Sequence, residues 1–120
     1  MMHDHGTPRR TWLHVSDTAS AVMTIISSGV VNEIFNISGN YEEQNINVAR
    51  KIIDSFNVMN GQYLTTDYEQ YMDFSEKRQG QDVRYAIDDS KLKDLGWEPK
   101  AVFNQELQTI VKYYKDNFIW

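Results

Sequence analysis

The sequence predicts one mixed α/β domain, and three features carry that prediction. Apolar residues recur at helical spacing in several stretches, short alternating segments lie between them, and glycine, asparagine or proline stands at most junctions. A length of 120 residues suits a single domain, residues 1–120, and is too short for two ordinary ones. With 41% hydrophobic residues, including seven Tyr, five Phe and three Trp, the chain can form a core and is unlike a disordered segment.

In chain order, Trp12-Leu13-His14-Val15 predicts a short strand, and Asp17 stands where an N-cap would open a helix running to about Ser28. Ala19, Val22, Ile25 and Ile26 form its expected packing stripe, and Gly29 ends it in a left-handed conformation. Glu33 to Ile37 predicts a half-buried strand, followed by a turn at Ser38-Gly39-Asn40. A second helix is expected from near Asn45, with Ala49, Ile52, Ile53 and Phe56 on one stripe, broken between Asn57 and Gly61. Tyr71 to Phe74 predicts a strand leading into a polar loop over 75–82, and Arg84 to Ile87 an extended segment. Asp88 or Asp89 caps a short helix through Leu95, closed by Gly96 before the turn Trp97-Glu98-Pro99. The last helix opens near Asn104, with Phe103, Leu107, Ile110, Val111 and Tyr114 as its apolar stripe.

A net charge of −5 offers no basic footprint for nucleic acid, and no Lys/Arg run is long enough for a membrane patch. Neither partner is expected. A local cationic pocket is still open to the fold, because Arg9, Arg10, Lys77, Arg78 and Arg84 lie in two short stretches. There is no cysteine, hence no disulfide framework or thiolate metal site. The first residues lack the basic and apolar regions of a signal peptide, so a soluble cytoplasmic protein is expected.

Glycines at 6, 29, 39, 61, 80 and 96 nowhere form a G-x-G-x-x-G or P-loop spacing, so no dinucleotide site is expected in this chain. No Tyr-x-x-x-Lys pair, G-x-S-x-G or H-E-x-x-H occurs. His3 and His5 are an incomplete ligand set, and no metal site is expected. His14 suits a strand better than a general base, and Glu42, Glu43, Asp88 and Asp89 suit a solvated surface or helix caps.

Four segments follow one another in order: Arg10-Thr11-Trp12-Leu13-His14-Val15-Ser16-Asp17, Ile34-Phe35-Asn36-Ile37-Ser38-Gly39-Asn40, Arg84-Tyr85-Ala86-Ile87-Asp88 and Leu95-Gly96-Trp97-Glu98-Pro99. The series resembles the C-terminal half of the extended short-chain dehydrogenase/reductases, and most closely the dTDP-glucose 4,6-dehydratases and related nucleotide-sugar dehydratases and epimerases. The resemblance runs from about residue 3 to residue 117. It implies the small C-terminal nucleotide-sugar-binding domain of that fold, without the Rossmann domain. In the family, the Rossmann domain holds NAD(P) and supplies the tyrosine, lysine and acid/base pair. The implied reaction moves a hydride from C4 of the sugar to the nicotinamide, eliminates water across C5 and C6, and returns the hydride to C6. None of the residues for those steps matches a position here, so no catalytic residue and no cofactor are expected within the chain.

The resemblance also implies binding roles. Arg10 matches an arginine that reaches the diphosphate, a role favoured over an exposed surface arginine; Arg9 is read as its neighbour. Asn45 matches an asparagine that contacts the nucleotide, and helix capping competes evenly with that role. Arg78 matches the arginine of a family loop reading D-R-P-G-H-D or N-R-P-x-x-D. Here the loop is Lys77-Arg78-Gln79-Gly80-Gln81-Asp82, so the proline and histidine positions hold Gln79 and Gln81. Losing the proline frees φ and puts the preorganisation of Arg78 in doubt. Gln81 keeps a hydrogen-bonding role toward ribose or phosphate without charge. Asn36 and Gly39 shape the strand end and turn, and Trp12, Tyr85 and Trp97 are expected as core anchors. The expected ligand is a nucleotide-sugar such as dTDP- or UDP-glucose.

Family members continue upstream of Gly6 into the cofactor domain. The expectation is therefore a fragment, inactive alone, whose exposed domain-facing surface promotes self-association. The alternatives are a stand-alone, non-catalytic module binding a nucleotide-sugar or another protein, and a decayed domain without a ligand.

Overall fold

The computed structural model describes residues 2–76, 78–85 and 87–118. Its elements, in order, are a 3-10 turn at His3–Gly6, β1 Arg9–Trp12, α1 Val15–Ser28, β2 Tyr41–Gln44, α2 Asn45–Met59, a 3-10 turn at Glu69–Tyr71, α3 Ser90–Lys93 and α4 Phe103–Asn117. β1 and β2 pair antiparallel, with Arg9 opposite Gln44 and Trp12 opposite Tyr41. Arg84 adds an isolated parallel bridge to Arg9. The fold is thus mixed helix and strand, as expected.

The first strand lies three residues earlier than its apolar pattern indicated. Trp12 is its last residue, while Leu13 packs against the core and His14 caps α1 by accepting the Ser16 N–H on Nδ1 at 3.2 Å. Asp17 is therefore not the cap. It lies within the first turn of α1, 5% exposed, and its two carboxylate oxygens accept the backbone N–H groups of Lys100 and Ala101 at 2.9 and 3.0 Å. Gly29 does end α1, at φ +71.

The packing face of α1 is also turned from the expected one. Ala21 and Ile25 meet the core one and two turns after Asp17, whereas Val22 is 44% and Ile26 66% exposed. The helix is apolar on two faces, and periodicity alone does not say which is covered. The core gathers Ala21, Leu92 and Trp97 with Leu13, Ile25, Phe35, Ile37 and Leu95 around them. Trp97 is the anchor expected of it, its indole N–H donating to Ser20 Oγ at 2.9 Å.

Glu33 to Ile37 does not pair as a strand among the described residues. Phe35 and Ile37 face the core, Ile34 is 86% exposed, and Asn36 Nδ2 ties the segment to the Asp88 carbonyl at 3.0 Å. Tyr71 to Phe74 likewise forms no strand: Tyr71 closes a 3-10 turn, and Met72 is merely extended. Arg84 to Ile87 contributes only the bridge at Arg84, and Ala86 lies outside the described residues. Asp89 precedes α3 without capping it, while Asp88 accepts the Ser90 N–H at 2.9 Å. α3 is only a turn long, and Gly96 closes the bend after it at φ +88.

In α4, which opens at Phe103, Val111 is buried and Phe103 and Leu107 are half-buried, but Ile110 and Tyr114 are 40% and 55% exposed. In α2, Val48 and Asn57 are buried and Ala49 and Ile53 half-buried, whereas Ile52 and Phe56, expected on the same stripe, are 42% and 43% exposed. The Cα radius of gyration is 17.3 Å, against about 13.6 Å for a compact domain of this length. Much apolar surface is left outside.

Candidate functional site

β2 is the element that sequence reasoning missed, because Tyr-Glu-Glu-Gln carries no apolar alternation; its backbone ladder to β1 makes it a strand. Strand alternation then places Arg9, Thr11, Glu42 and Gln44 on one face of the ribbon and Arg10, Trp12, Tyr41 and Glu43 on the other. The segment 82–85 runs beside β1, fixed by the Arg9 N–H donating to the Val83 carbonyl at 2.8 Å and by the Arg9–Arg84 bridge.

Arg10 reaches across to this segment. Its Nη1 donates to the carbonyls of Arg9 at 2.7 Å and Asp82 at 3.1 Å, and its guanidinium carbon sits 4.4 Å from the centroid of the Tyr85 ring. Tyr85 is therefore no core anchor: it is 47% exposed and serves as a platform for Arg10. Both hydrogen bonds use a single nitrogen of a five-donor fork.

On the other face, Glu42 collects two cations. Arg84 Nε lies 3.0 Å from both carboxylate oxygens and Nη2 2.9 Å from one, while Arg9 Nη1 is at 3.7 Å. The Arg84 hydrogen bond holds the Glu42 carboxyl below its ordinary value, and Arg84 is held above its own by the same bond. Glu42 was expected only as surface or a cap, and Arg9 only as a neighbour. The cross-strand diagonal from Arg9 to Glu42 becomes visible once 41–44 is known to pair.

Of the sequence-derived candidates, Asn45 is the first residue of α2, not its cap. Its N–H donates to the Pro8 carbonyl at 3.1 Å, which sets it at the Arg9 end of the ribbon. The cap position is Gln44, which makes no side-chain capping bond; beside it Glu43 Oε1 accepts from the Gln44 N–H and from Asn47 Nδ2, both at 2.9 Å, and these bonds hold its carboxyl low, that from Asn47 most. Gln81 precedes the residue that Arg10 grips, and its Oε1 is a buried acceptor without a hydrogen-bond partner among the described residues. Arg78 is exposed, at the far end of the same loop, and Lys77 lies outside the described residues. The fold thus brings Arg10, Gln81, Arg9 and Arg84 to one segment and sets Asn45 at its edge.

A cavity of about 520 Å³ opens elsewhere, between β1, α2 and α4, lined by Trp12, Tyr41, Phe103, Val48, His14 and Glu106 among others. None of Arg10, Asn45, Arg78 or Gln81 lines it. Its apolar walls suit packing more than a polyanion, which needs the guanidinium groups of the other site. Among the described residues, no group of three or more His, Asp or Glu could hold a metal, and no helix is long and apolar enough to cross a membrane. Among the described residues there is no glycine-rich turn of the kind that cradles the pyrophosphate of a nicotinamide dinucleotide. The turn from β1 to α1 consists of Leu13 and His14 with no glycine, and the sheet is an antiparallel pair, whereas such a cofactor needs a glycine-rich turn after a parallel strand.

The mixed fold, with its two-stranded ribbon and a core closed by a Gly-Trp turn, is that of part of an extended short-chain dehydrogenase/reductase. Residues 1–110 match the family model described as GDP-mannose 4,6 dehydratase, and the chain belongs to that family. It is 38% identical over 120 residues to a dTDP-glucose 4,6-dehydratase of Xanthomonas campestris pv. campestris, covering 99% of this chain and 34% of the relative. It is 36% identical to the dTDP-glucose 4,6-dehydratase of Neisseria meningitidis serogroup B, covering 99% of this chain and 34% of that one. Among solved structures, the dTDP-glucose 4,6-dehydratase of Bacillus anthracis, in complex with NAD, superposes with TM-score 0.75 at 33% identity, covering 99% of this chain and 35% of that one. DesIV from Streptomyces venezuelae, with NAD and TYD bound, gives TM-score 0.77 at 26% identity, covering 93% and 32%. The chain spans about a third of the length of the relatives it matches.

Proposed function

We propose that this chain binds the nucleotide-diphosphate end of a dTDP- or UDP-sugar, as the C-terminal portion of a dTDP-glucose 4,6-dehydratase-like enzyme in the cytoplasm. The observation that carries this reading is the placement of Arg10. Tyr85 and the Asp82 carbonyl hold its guanidinium against the segment that follows Arg78 and Gln81, so one anion can meet residues from β1 and from the loop. Gln81 Oε1, buried and unpartnered, is suited to a ligand hydroxyl, and Asn45 contributes from the ribbon's edge.

Hydride transfer and elimination belong, in this reading, to a cofactor-binding portion outside the chain, which holds NAD(P). The chain alone is inactive. The exposed apolar residues of α1 and of 30–34 support a missing packing partner, and in isolation they drive self-association; a stand-alone module would leave them uncovered. Calorimetric titration with dTDP, dTDP-glucose, UDP, UDP-glucose and NAD tests the reading. Saturable binding of a nucleotide or nucleotide-sugar, weakened at least about tenfold by Arg10→Ala or Arg78→Ala, supports it. Binding of NAD in preference to all of these would overturn it.

A further inference from the structure

The loop carrying Arg78 and Gln81 has Gln79 where the family pattern has proline, so its order has to come from elsewhere. One side chain is placed to supply it. Glu42 is the second residue of the ribbon's second strand and holds Arg84 through both carboxylate oxygens, with Arg9 as a second, longer contact. Arg84 lies directly after the backbone tie from the Arg9 N–H to the Val83 carbonyl and directly before Tyr85, the platform of Arg10. A single carboxylate therefore secures the C-terminal anchor of the loop at the place where Arg10 grips it.

We propose that Glu42 is a positioning residue that straps segment 82–85 to the ribbon and thereby presets Arg10 and the 78–81 loop for an anionic ligand. The inference rests on the nucleotide-diphosphate reading of the site. It also assigns Arg84 a role different from that of Arg10. Its guanidinium is committed to Glu42 by side-on, two-oxygen pairing, so it acts on the ligand through the loop and not as a phosphate ligand. Glutamine at position 42 keeps the shape but cannot hold two guanidinium groups. Aspartate keeps the charge on a shorter arm.

The test is hydrogen exchange, read at the Arg9 amide and across 78–85, on the ligand-free chain and on Glu42→Gln, Glu42→Asp and the charge swap Glu42→Arg/Arg84→Glu, with dTDP affinity measured on each. Far-ultraviolet dichroism and thermal melting confirm that each variant is folded. Glu42→Gln should speed exchange in this segment about tenfold, the scale of one lost charge-assisted bond, and weaken dTDP binding by a comparable factor. Glu42→Asp and the charge swap should each recover part of both. In the parent chain, exchange corrected for its intrinsic pH dependence should rise as acid protonates Glu42, and Glu42→Gln should lose that rise. Unchanged exchange in Glu42→Gln, or no recovery in the swap, overturns the strap. A loop that loosens as expected while the parent chain fails to bind dTDP supports the strap and overturns the nucleotide reading instead.

Discussion

Asp17 and Lys100, far apart in sequence, are joined by a hydrogen bond of 2.9 Å from the Lys100 backbone N–H to a carboxylate that is only 5% exposed. The second carboxylate oxygen takes the Ala101 N–H at 3.0 Å, so one side chain at the start of α1 fixes the segment that enters α4. Removing it leaves two amides without their partner. Asp17→Ala should therefore lower stability by about 2–3 kcal/mol, measured by urea unfolding. A loss within the scatter of a surface substitution would show that this tie is not structural.

Gly39 and Gly29 should respond differently to alanine. A Cβ at Gly39 would lie 2.1 Å from the Trp12 carbonyl oxygen, and backbone on both sides cannot yield cheaply. Gly39→Ala should cost about 3 kcal/mol, near the upper end for overpacking. Gly29, at φ +71 with nothing within 4 Å of the added atom, should cost only about 1 kcal/mol for its left-handed backbone. Thermal melts of the two variants rank them.

Acid should weaken the fold through a specific set of carboxylates. Glu42 is held low by Arg84, Glu43 by Asn47, Asp73 by Ser75 and Asp88 by Ser90. A carboxyl whose folded pKa is depressed adds stability above its unfolded value, here 4.5 for Glu and 3.8 for Asp, and that stability is lost as pH falls through the folded value. The melting temperature should fall as pH drops below these values, and the fall should be shallower in Glu43→Gln than in the parent chain. Equal slopes would remove Glu43 from the set.

The uncovered apolar face should make the isolated chain associate. Val22, Met23 and Ile26 on α1 are 44%, 60% and 66% exposed, and Ile34 beyond them is 86% exposed. Sedimentation velocity should show concentration-dependent species that diminish in Ile26→Lys/Ile34→Lys, with the melting temperature little changed. A monomer at all concentrations would mean that this face is tolerated in water.

Sequence pattern was most informative where a helix and its stop signal coincided. α1 ends at Ser28 before Gly29 as its periodicity indicated, because a left-handed glycine cap is a local property. It failed where the partner decides. α1 carries apolar residues on two faces, and only tertiary packing selects Ala21 and Ile25 over Val22 and Ile26. β2 is made by its ladder and not by its side chains, so Tyr41 to Gln44 was passed over, and with it the role of Glu42. For the candidate site, Arg10 and Gln81 can be named from the sequence because both flank recognisable segments, and the fold sets both beside Asp82. The platform under Arg10 was not, since Tyr85 looks equally suited to a core until its exposure is known.

The most direct measurement is a nuclear magnetic resonance titration of the labelled chain with dTDP. Shift changes should concentrate at Arg9 and Arg10, at Gln44 and Asn45, and across 78–85, and they should be abolished by Arg10→Ala in an otherwise unchanged spectrum. Changes centred on Trp12, Tyr41 and Phe103 around the apolar cavity, or none up to saturating dTDP, would contradict the assignment of this ribbon and loop as the nucleotide-diphosphate site.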